Sequence, residues 1–538
     1  MLLVTSAEMQ KLDTVMIEEI GVASAALMES VGLRVAEVTM DMVDGTGAHQ
    51  SMGERVSSRS REMDSRKMIA VVVGKGHNGA DGLVAARYLH VLGYSVRVWL
   101  TSDERDLSHL THIQLCAYRN VHGRLAEETD DLTQADVIID AILGNGSQLP
   151  VREPLRPFLQ AIHKAHRPVL SIDFPTGLDP DSGQVDVDCV KAVRTVACGL
   201  SKPGLYVEPG RAYAGQITIA SLAISYHMAV RHGAHHFLVT EQDIAKRYRR
   251  RPQDSHKGSF GRVGVLAGSP GMYGAARLAV EGAYRAGAGL VYYFAPEDLS
   301  DTWVSGFPVE AVVKRYAGRA GVWNVDAIAS LLALFAQVDV GVIGPGMGRS
   351  MQDSPEALLA LAQLPIPLVL DADFLQVVAA SEDGGVTFFE HRKHLTIITP
   401  HPKEFAQLIK RPTSVVQENR LLYAKEYAVK TQTIVVLKGA GTVIATPEPA
   451  VWINSTGNSG LATGGTGDVL AGLLGGLLAS GYGAESAALV GVYVHGKAAE
   501  LACTTQYSQE SLVASDLFAW FGTAFRQISW EMDISHDG

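Results

Sequence analysis

The string richest in chemistry is Asn454-Ser455-Thr456-Gly457-Asn458-Ser459-Gly460-Leu461-Ala462-Thr463-Gly464-Gly465-Thr466-Gly467-Asp468, which leads into an apolar helical pattern. Closely spaced glycines let successive N–H groups point into one concavity at a helix N-terminus, an anion hole for a transferring phosphoryl group. Asp468 stands where it would take the proton from an attacking hydroxyl. An N-cap in a simple turn would also use Asp, but five glycines between 457 and 467 cost too much backbone entropy for mere linkage. Lys438-Gly439-Ala440-Gly441-Thr442 follows an apolar run and can wrap an adenosine phosphate with backbone and ammonium donors. His401 lies between Pro400 and Pro402, whose rings stiffen it. Gly268 to Ala275, Gly344 to Gly348 and His256-Lys257-Gly258 add glycine loops, and no GxxxxGK[ST] string occurs, so this is not a P-loop.

A second constellation lies nearer the N-terminus. Gly74, Gly76 and Gly79 satisfy GxGxxG, a weak signal alone. Asp103 and Glu104 stand where a ribose-binding acid would. Yet Asn78 and Asp81 inside the glycine string suit a sugar hydroxyl or a cation, because a carboxylate repels phosphate. Asp140-Ala141-Ile142-Leu143-Gly144-Asn145-Gly146 and Asp173-Phe174-Pro175-Thr176-Gly177 repeat the pattern of an Asp at a strand end before a glycine loop. Strand ends in doubly wound sheets converge on one crevice, so Asn78, Asp140 and Thr176 could offer oxygen ligands to a hard cation. Helix capping and tight turns are the alternative for any one loop; three such loops in one domain favour a site.

These loops need strands and helices to hold them. Residues 7–40 space apolar side chains helically, and 83–92 reads as a helix. The runs 69–73, 96–100, 137–140 and 169–173 read as buried parallel strands, and the pattern restarts with 263–267, helix 275–286, and strands 340–343, 368–370, 396–398 and 434–437. Two α/β domains follow, with a boundary near 225–250. The polar stretch 44–67 reads as an exposed loop. His227, His232, His235 and His236 crowd the boundary; with no carboxylate or cysteine at metal-site spacing, a mobile polar linker is the preferred reading.

The 538 residues exceed one ordinary core, and 47% hydrophobic with 19% charged content excludes disorder. A net charge of −11 argues against a nucleic-acid partner, and the basic run Lys246 to Arg251 reads as a solvated segment. Scattered Cys116, Cys189, Cys198 and Cys503 read as free thiols in a reducing compartment. No signal peptide or membrane span is visible, since Val469 to Leu478 is short and glycine-interrupted. The expectation is a cytoplasmic protein without a membrane partner.

The loops GKGHNGADG, DAILGNG, DFPTGLDPDSG and LSKPG resemble the NAD(P)H-hydrate epimerase family (YjeF N-terminal domain) over residues 1–225. That resemblance implies a Rossmann-like doubly wound domain and one potassium ion on Asn78, Asp140 and Thr176. It places substrate contacts on His77, Asn78, Gly79, Ala80, Asp81, Gly144, Asn145, Gly146, Ser147, Gln148, Leu149, Pro150 and Asp173. His77 and Ala80 depart from the usual GNNGGDG, and Asp173 is assigned as acid/base group from its position. The strings HKGSFG, GSPGMYGAARLA, GPGMG, DAD, TPHPKEF, KGAGT and GNSGLATGGTGD resemble the NAD(P)H-hydrate dehydratase family (YjeF C-terminal domain) over residues 236–530, after a boundary segment at 226–252. Ser459 stands where Pro is usual, and Phe374 follows the DAD.

This second resemblance implies a ribokinase-like α/β domain. It puts nucleotide contacts on Lys438, Gly439, Ala440, Gly441, Thr442 and Gly467, hydrate contacts on Ala275, Gly346, His401 and Asp468, and catalysis on Asp468. Together the two families imply repair of NADHX and NADPHX. The R and S hydrates are epimerised, and the S form is phosphorylated by ADP, with Mg2+, then loses phosphate to restore NAD(P)H, leaving AMP. A homo-oligomer is expected. The competing readings are a ribokinase-like small-molecule kinase and a non-catalytic N-terminal ligand-binding module.

Overall fold

The computed structural model describes residues 1–45, 67–127, 130–318, 325–349 and 355–536. The loop expected over 44–67 lies outside the described residues except at its ends. The chain divides into two compact units, Leu2–His236 and Phe237–Gly538, the latter with Met1.

In the first unit, α1 (Ser6–Thr14) starts with a capping box, Thr5 and Glu8 satisfying each other's backbone N–H groups, and α2 (Ser24–Asp44) follows. Strand β1 (Met68–Val73) is apolar throughout because both its faces are covered. Ile69, Val71 and Val73 pack with Val35, Leu83 and Leu89, while Met68, Ala70 and Val72 pack with Leu159 and Ile162. Helix α3 (His77–Val91) returns to β2 (Ser95–Leu100) and β3 (Arg124–Leu125). Then come β4 (Val137–Ala141), α4 (Arg156–Ala165), β5 (Val169–Ile172), β6 (Arg194–Cys198) and β7 (Gln216–Ala220).

The strands pair in parallel in the order β3-β2-β1-β4-β5-β6-β7. The order reverses between β1 and β4, so the loops after them flank the crevice where doubly wound sheets bind ligands. Helix α3 starts six residues before the sequence reading places it, at His77 rather than Leu83. Its glycines disguised it. A Cβ on Gly79 would lie 1.9 Å from the Gly74 carbonyl oxygen, so the helix start packs on its own entry loop.

The segment 226–252, expected as a polar linker, carries regular structure in part. Ser225 caps a helix over Tyr226–Arg231, and Thr240 caps another over Glu241–Ala245. Polar residues that looked like solvated linkage are N-caps. The fold also supplies the carboxylate missing near the histidines: Glu8 of α1, His235 and His236 bring ligand atoms within 4.8 Å of one another.

The second unit runs β8 (Arg262–Leu266), α5 (Tyr273–Arg285), β9 (Leu290–Pro296), β10 (Val312–Tyr316), β11 (Val340–Ile343), β12 (Leu368–Leu370) and α6 (Ala372–Ala379). It continues with β13 (Thr396–Ile398), α7 (Pro402–Leu408), α8 (Arg420–Thr431), β14 (Ile434–Leu437), β15 (Val443–Ala445), β16 (Val451–Ile453) and α9 (Thr466–Ala479). The parallel order is β10-β9-β8-β11-β12-β13-β14, with β15 and β16 added antiparallel. Here the reversal lies between β8 and β11. The glycines of α9 serve packing: a Cβ on Gly472 would lie 2.0 Å from the Ala279 carbonyl oxygen of α5. Among the described residues no helix is long and apolar enough to cross a membrane. Both units are α/β with doubly wound sheets, as the sequence implies.

Candidate functional site

Each unit carries one candidate site at its point of strand-order reversal. In the first, a cavity of about 1020 Å³ is lined by the loops after β1 and β4 together with Asp173, Cys198, Lys202 and the α1 residues Met9, Gln10 and Asp13. Of the expected substrate contacts, His77, Asn78, Asp81, Asp173 and every residue from Gly144 to Pro150 line it. Gly79 and Ala80 do not reach its walls: Gly79 backs onto Gly74, and Ala80 packs with Met28 and Val84.

Asp173 sits in the left-handed region at φ 67°, unusual for a non-glycine residue and a form of strain that clusters at functional sites. Its Oδ1 accepts from the Lys202 ammonium and from the Cys198 N–H at 3.2 Å. Lys202 is fully buried, so the two form a desolvated ion pair. Two more carboxyls act on this pair or on each other, Asp13 and Asp81. Burial pushes Asp13 up to about 6, with Lys202 opposing and Asp173 adding to the rise. Burial, then Asp173 and Asp13, hold Asp81 well above the usual carboxylate range. Asp81, pushed well above the usual range, is the member of this cluster that the crowding favours in its protonated form. Asp13 and the pairing role of Lys202 escaped the sequence reading; Asp13 lies in an unremarkable amphipathic helix, and only the tertiary fold exposes its role.

Asp140, Thr176 and Asn78 do come together. Asp140 is fully buried. Its oxygens accept from the Thr176 hydroxyl (2.7 Å) and N–H (2.8 Å), the Ser171 hydroxyl (2.9 Å) and the Ile142 N–H (3.3 Å). Asn78 Nδ2 donates to the carbonyls of Leu143 (2.8 Å) and Ile172 (3.3 Å). Burial raises the Asp140 carboxyl, and only these neutral donors oppose it. Among the described residues no cationic side chain pairs with Asp140. An oxygen-only donor set around one uncompensated carboxylate fits a hard monovalent cation.

In the second unit the switch-point loops lock together: the Gly268 N–H donates to the Pro345 carbonyl (2.8 Å), and the Ser269 hydroxyl to the Gly346 carbonyl (2.8 Å). Gly346 lies against Ala275, so these two expected hydrate contacts are neighbours. Asp468 sits in the first turn of α9. Burial first, then Asp371, push its carboxyl up to about 7, with Lys438 opposing. Lys438 does not keep its ammonium wholly for nucleotide: Nζ donates to Asp371 Oδ1 at 2.8 Å. Burial works against that ammonium, but Asp371, Glu404 and Asp468 outweigh it and raise it overall. A Cβ on Gly467 would lie 3.2 Å from Lys438 Nζ and 3.7 Å from Asp371 Oδ2, so the helix start packs tightly beside this pair.

His401 caps α7, its Nδ1 accepting from the N–H groups of Lys403 (3.1 Å) and Glu404 (3.2 Å). Burial and then Lys438 lower its proton affinity, which keeps the ring neutral. Arg420 of α8 donates to the carbonyls of Leu437, Lys438 and Ala440, each at 3.0 Å, and so shapes the Lys438–Thr442 loop. Asp371 entered the sequence reading only as part of the DAD string, with no role given, and Arg420 did not enter it. Asp371 ends β12 as Asp140 nearly ends β4, and that strand-end rule would have found it; nothing local marks Arg420.

Comparison with known proteins gives two family matches. Residues 24–204 match the YjeF-related protein N-terminus, and residues 263–519 match NAD(P)H-hydrate dehydratase. The bifunctional NAD(P)H-hydrate repair enzyme Nnr of Moorella thermoacetica is 34% identical over 99% of this chain and 98% of its own length. The enzyme of the same name from Coxiella burnetii is 36% identical over 84% of this chain and 88% of its own. A solved structure of the ADP/ATP-dependent NAD(P)H-hydrate dehydratase from Bacillus subtilis, co-crystallised with ATP/Mg2+, is 33% identical, covers 54% of this chain and 98% of that one, and gives a TM-score of 0.46.

Proposed function

The chain belongs to the family of bifunctional NAD(P)H-hydrate repair enzymes, and on that premise we propose how its two sites divide the work. The chain is an NAD(P)H-hydrate epimerase joined to an NAD(P)H-hydrate dehydratase. The kinase-like alternative is not favoured.

In the dehydratase site we propose ADP, with Mg2+, as phosphoryl donor, seated on Lys438 to Thr442 and Gly467. Asp468 takes the proton of the hydrate hydroxyl as its oxygen attacks the outer phosphorus of ADP, and AMP leaves. Phosphate then departs with a proton from the adjacent ring carbon, restoring the double bond. The observation that carries this reading is Asp468 at a glycine-lined helix start beside the Lys438–Asp371 pair. A carboxyl with pKa about 7 is both available as a base at neutral pH and strong enough to hold the proton it takes. His401, neutral and fixed as a cap, together with Ala275 and Gly346, lines the hydrate.

In the epimerase cavity we propose that Asp173, held by Lys202, orients the hydrated ring, and that potassium on Asn78, Asp140 and Thr176 supplies the charge that Asp140 lacks. The test supplies purified S-hydrate with ADP or with ATP and separates the nucleotide products by chromatography. AMP and phosphate appearing in step with NAD(P)H absorbance is the expected result; a stable phosphorylated hydrate would restore the kinase reading.

A further inference from the structure

Net charge is −11, yet one groove in the second unit is lined by four cations. The groove, about 700 Å³, runs between α6 and α7, with Arg349, Lys403, Lys410 and Arg411 on its walls beside Gln376 and Gln407. Among the described residues no carboxylate lies within ion-pair distance of any of the four. Glu382, Asp383 and Glu426 line the adjoining hollow without an ion pair to the four cations, and Asp383 is already occupied by Ser381, Gly385 and Thr387. Lys410 spends one bond on the Ala379 carbonyl (2.6 Å) and keeps its charge at the groove. Four unpaired like charges repel one another, and holding them together without a counter-charge is unfavourable unless an anion visits.

Three residues of the groove connect it to the neighbourhood of the dehydratase site. Lys403 stands two residues beyond His401, and its charge reaches that ring. Gln376 hydrogen-bonds Glu404, which faces Lys438. Arg349 follows Gly348, whose N–H donates to Asp373 (3.0 Å), one of the charges acting on Asp468. We infer that this groove is an anion subsite of the dehydratase, binding the phosphates of the dinucleotide hydrate that lie away from its reacting ring. The inference rests on the dehydratase reading above. Arginine forks and lysine ammonium groups match phosphate oxygens, and the two glutamines can take ribose hydroxyls.

The test uses the full chain with Arg349→Gln, Lys403→Gln and Arg411→Gln combined, three exposed side chains whose loss leaves the core untouched. Dehydration is followed at saturating ADP on two substrates: the S-hydrate of the dinucleotide, and the hydrate of dihydronicotinamide riboside, which lacks the phosphates. The variant should raise KM about tenfold for the dinucleotide alone, with kcat held. An unchanged KM, or an equal rise for both substrates, would overturn the subsite. ADP-ribose should inhibit the wild type in competition with the dinucleotide; non-competitive inhibition would mean a separate effector site and also overturn it. If the wild type dehydrated neither substrate, the dehydratase reading itself would fall. ADP-ribose titrated in excess ADP would then decide the groove, with about tenfold weaker binding to the variant supporting it and equal or no binding refuting it.

Discussion

Asp140 and Asp371 hold equivalent places, each at the end of a parallel strand beside a glycine loop in a doubly wound sheet, and each almost wholly buried. Asp140 is held only by hydroxyls and N–H groups, whereas Asp371 is held by the Lys438 ammonium. A buried carboxylate kept charged is offset most directly by a cation, whether built into the chain or borrowed from solution. The second unit carries its cation in the chain, so its site can hold charge while nucleotide phosphates come and go. The first leaves the charge open, which is the observation behind the proposal of a solution cation there. Similar topology thus sets the location of a site, while the partner of one carboxylate sets what it must recruit.

The largest expected effect comes from Asp468→Asn, which should lower dehydratase turnover by ~10²–10⁴ and leave epimerisation intact. A parallel fall in epimerase rate would break the comparison, because the two sites would then not be independent. Next come the lysines. Lys202→Met leaves Asp173 buried and unpaired and should destabilise the first unit by about 3–5 kcal/mol, read from the denaturant midpoint. Lys438→Met should cost the second unit less, because the Lys438 side chain is 22% exposed against 0% for Lys202, and water screens what remains. Equal losses would mean that burial does not distinguish the two pairs.

Potassium sharpens the contrast further. Added potassium should raise the thermal midpoint of the wild type and restore epimerase activity lost on dialysis, with dehydratase activity unmoved. Asp140→Asn, which removes the carboxylate charge, should abolish that response; an identical shift in the variant would dismiss the site. The smallest effect is with pH. The Asp468 carboxyl is raised, so its proton is held up to about 7 and the basic form gains above that value. Dehydratase kcat/KM should climb about tenfold per unit below that point and level off above it. A profile flat from pH 5.5 to 8 would remove Asp468 as the base.

Much of this was legible in the chain because glycine loops and apolar runs are local signals. The strands Val340–Ile343 and Leu368–Leu370 are uninterrupted apolar runs buried on both faces, and their bounds match the reading. Val312–Tyr316 escaped it, since Lys314 and Arg315 break the run in a strand at the sheet edge that need not be apolar. The helix at His77 hid behind glycines that close packing requires. Pairings across long sequence gaps were beyond reach: Lys202 with Asp173, Asp371 with Lys438, and Asp13 with either carboxyl of its cavity are made only when strand ends converge. Spacing rules place candidate residues at strand ends, but which charge neutralises which is settled by tertiary packing.

On the reading proposed above, one chain carries two separable activities, one needing nucleotide and one not. The direct measurement gives the full chain a mixture of R- and S-hydrate and follows both epimers and NAD(P)H absorbance, with and without ADP. Without ADP the epimers should equilibrate and no NAD(P)H should form. With ADP the S form should be consumed first and the R form should follow to completion through epimerisation. NAD(P)H forming without nucleotide, or R-hydrate left behind at its starting amount, would contradict the account.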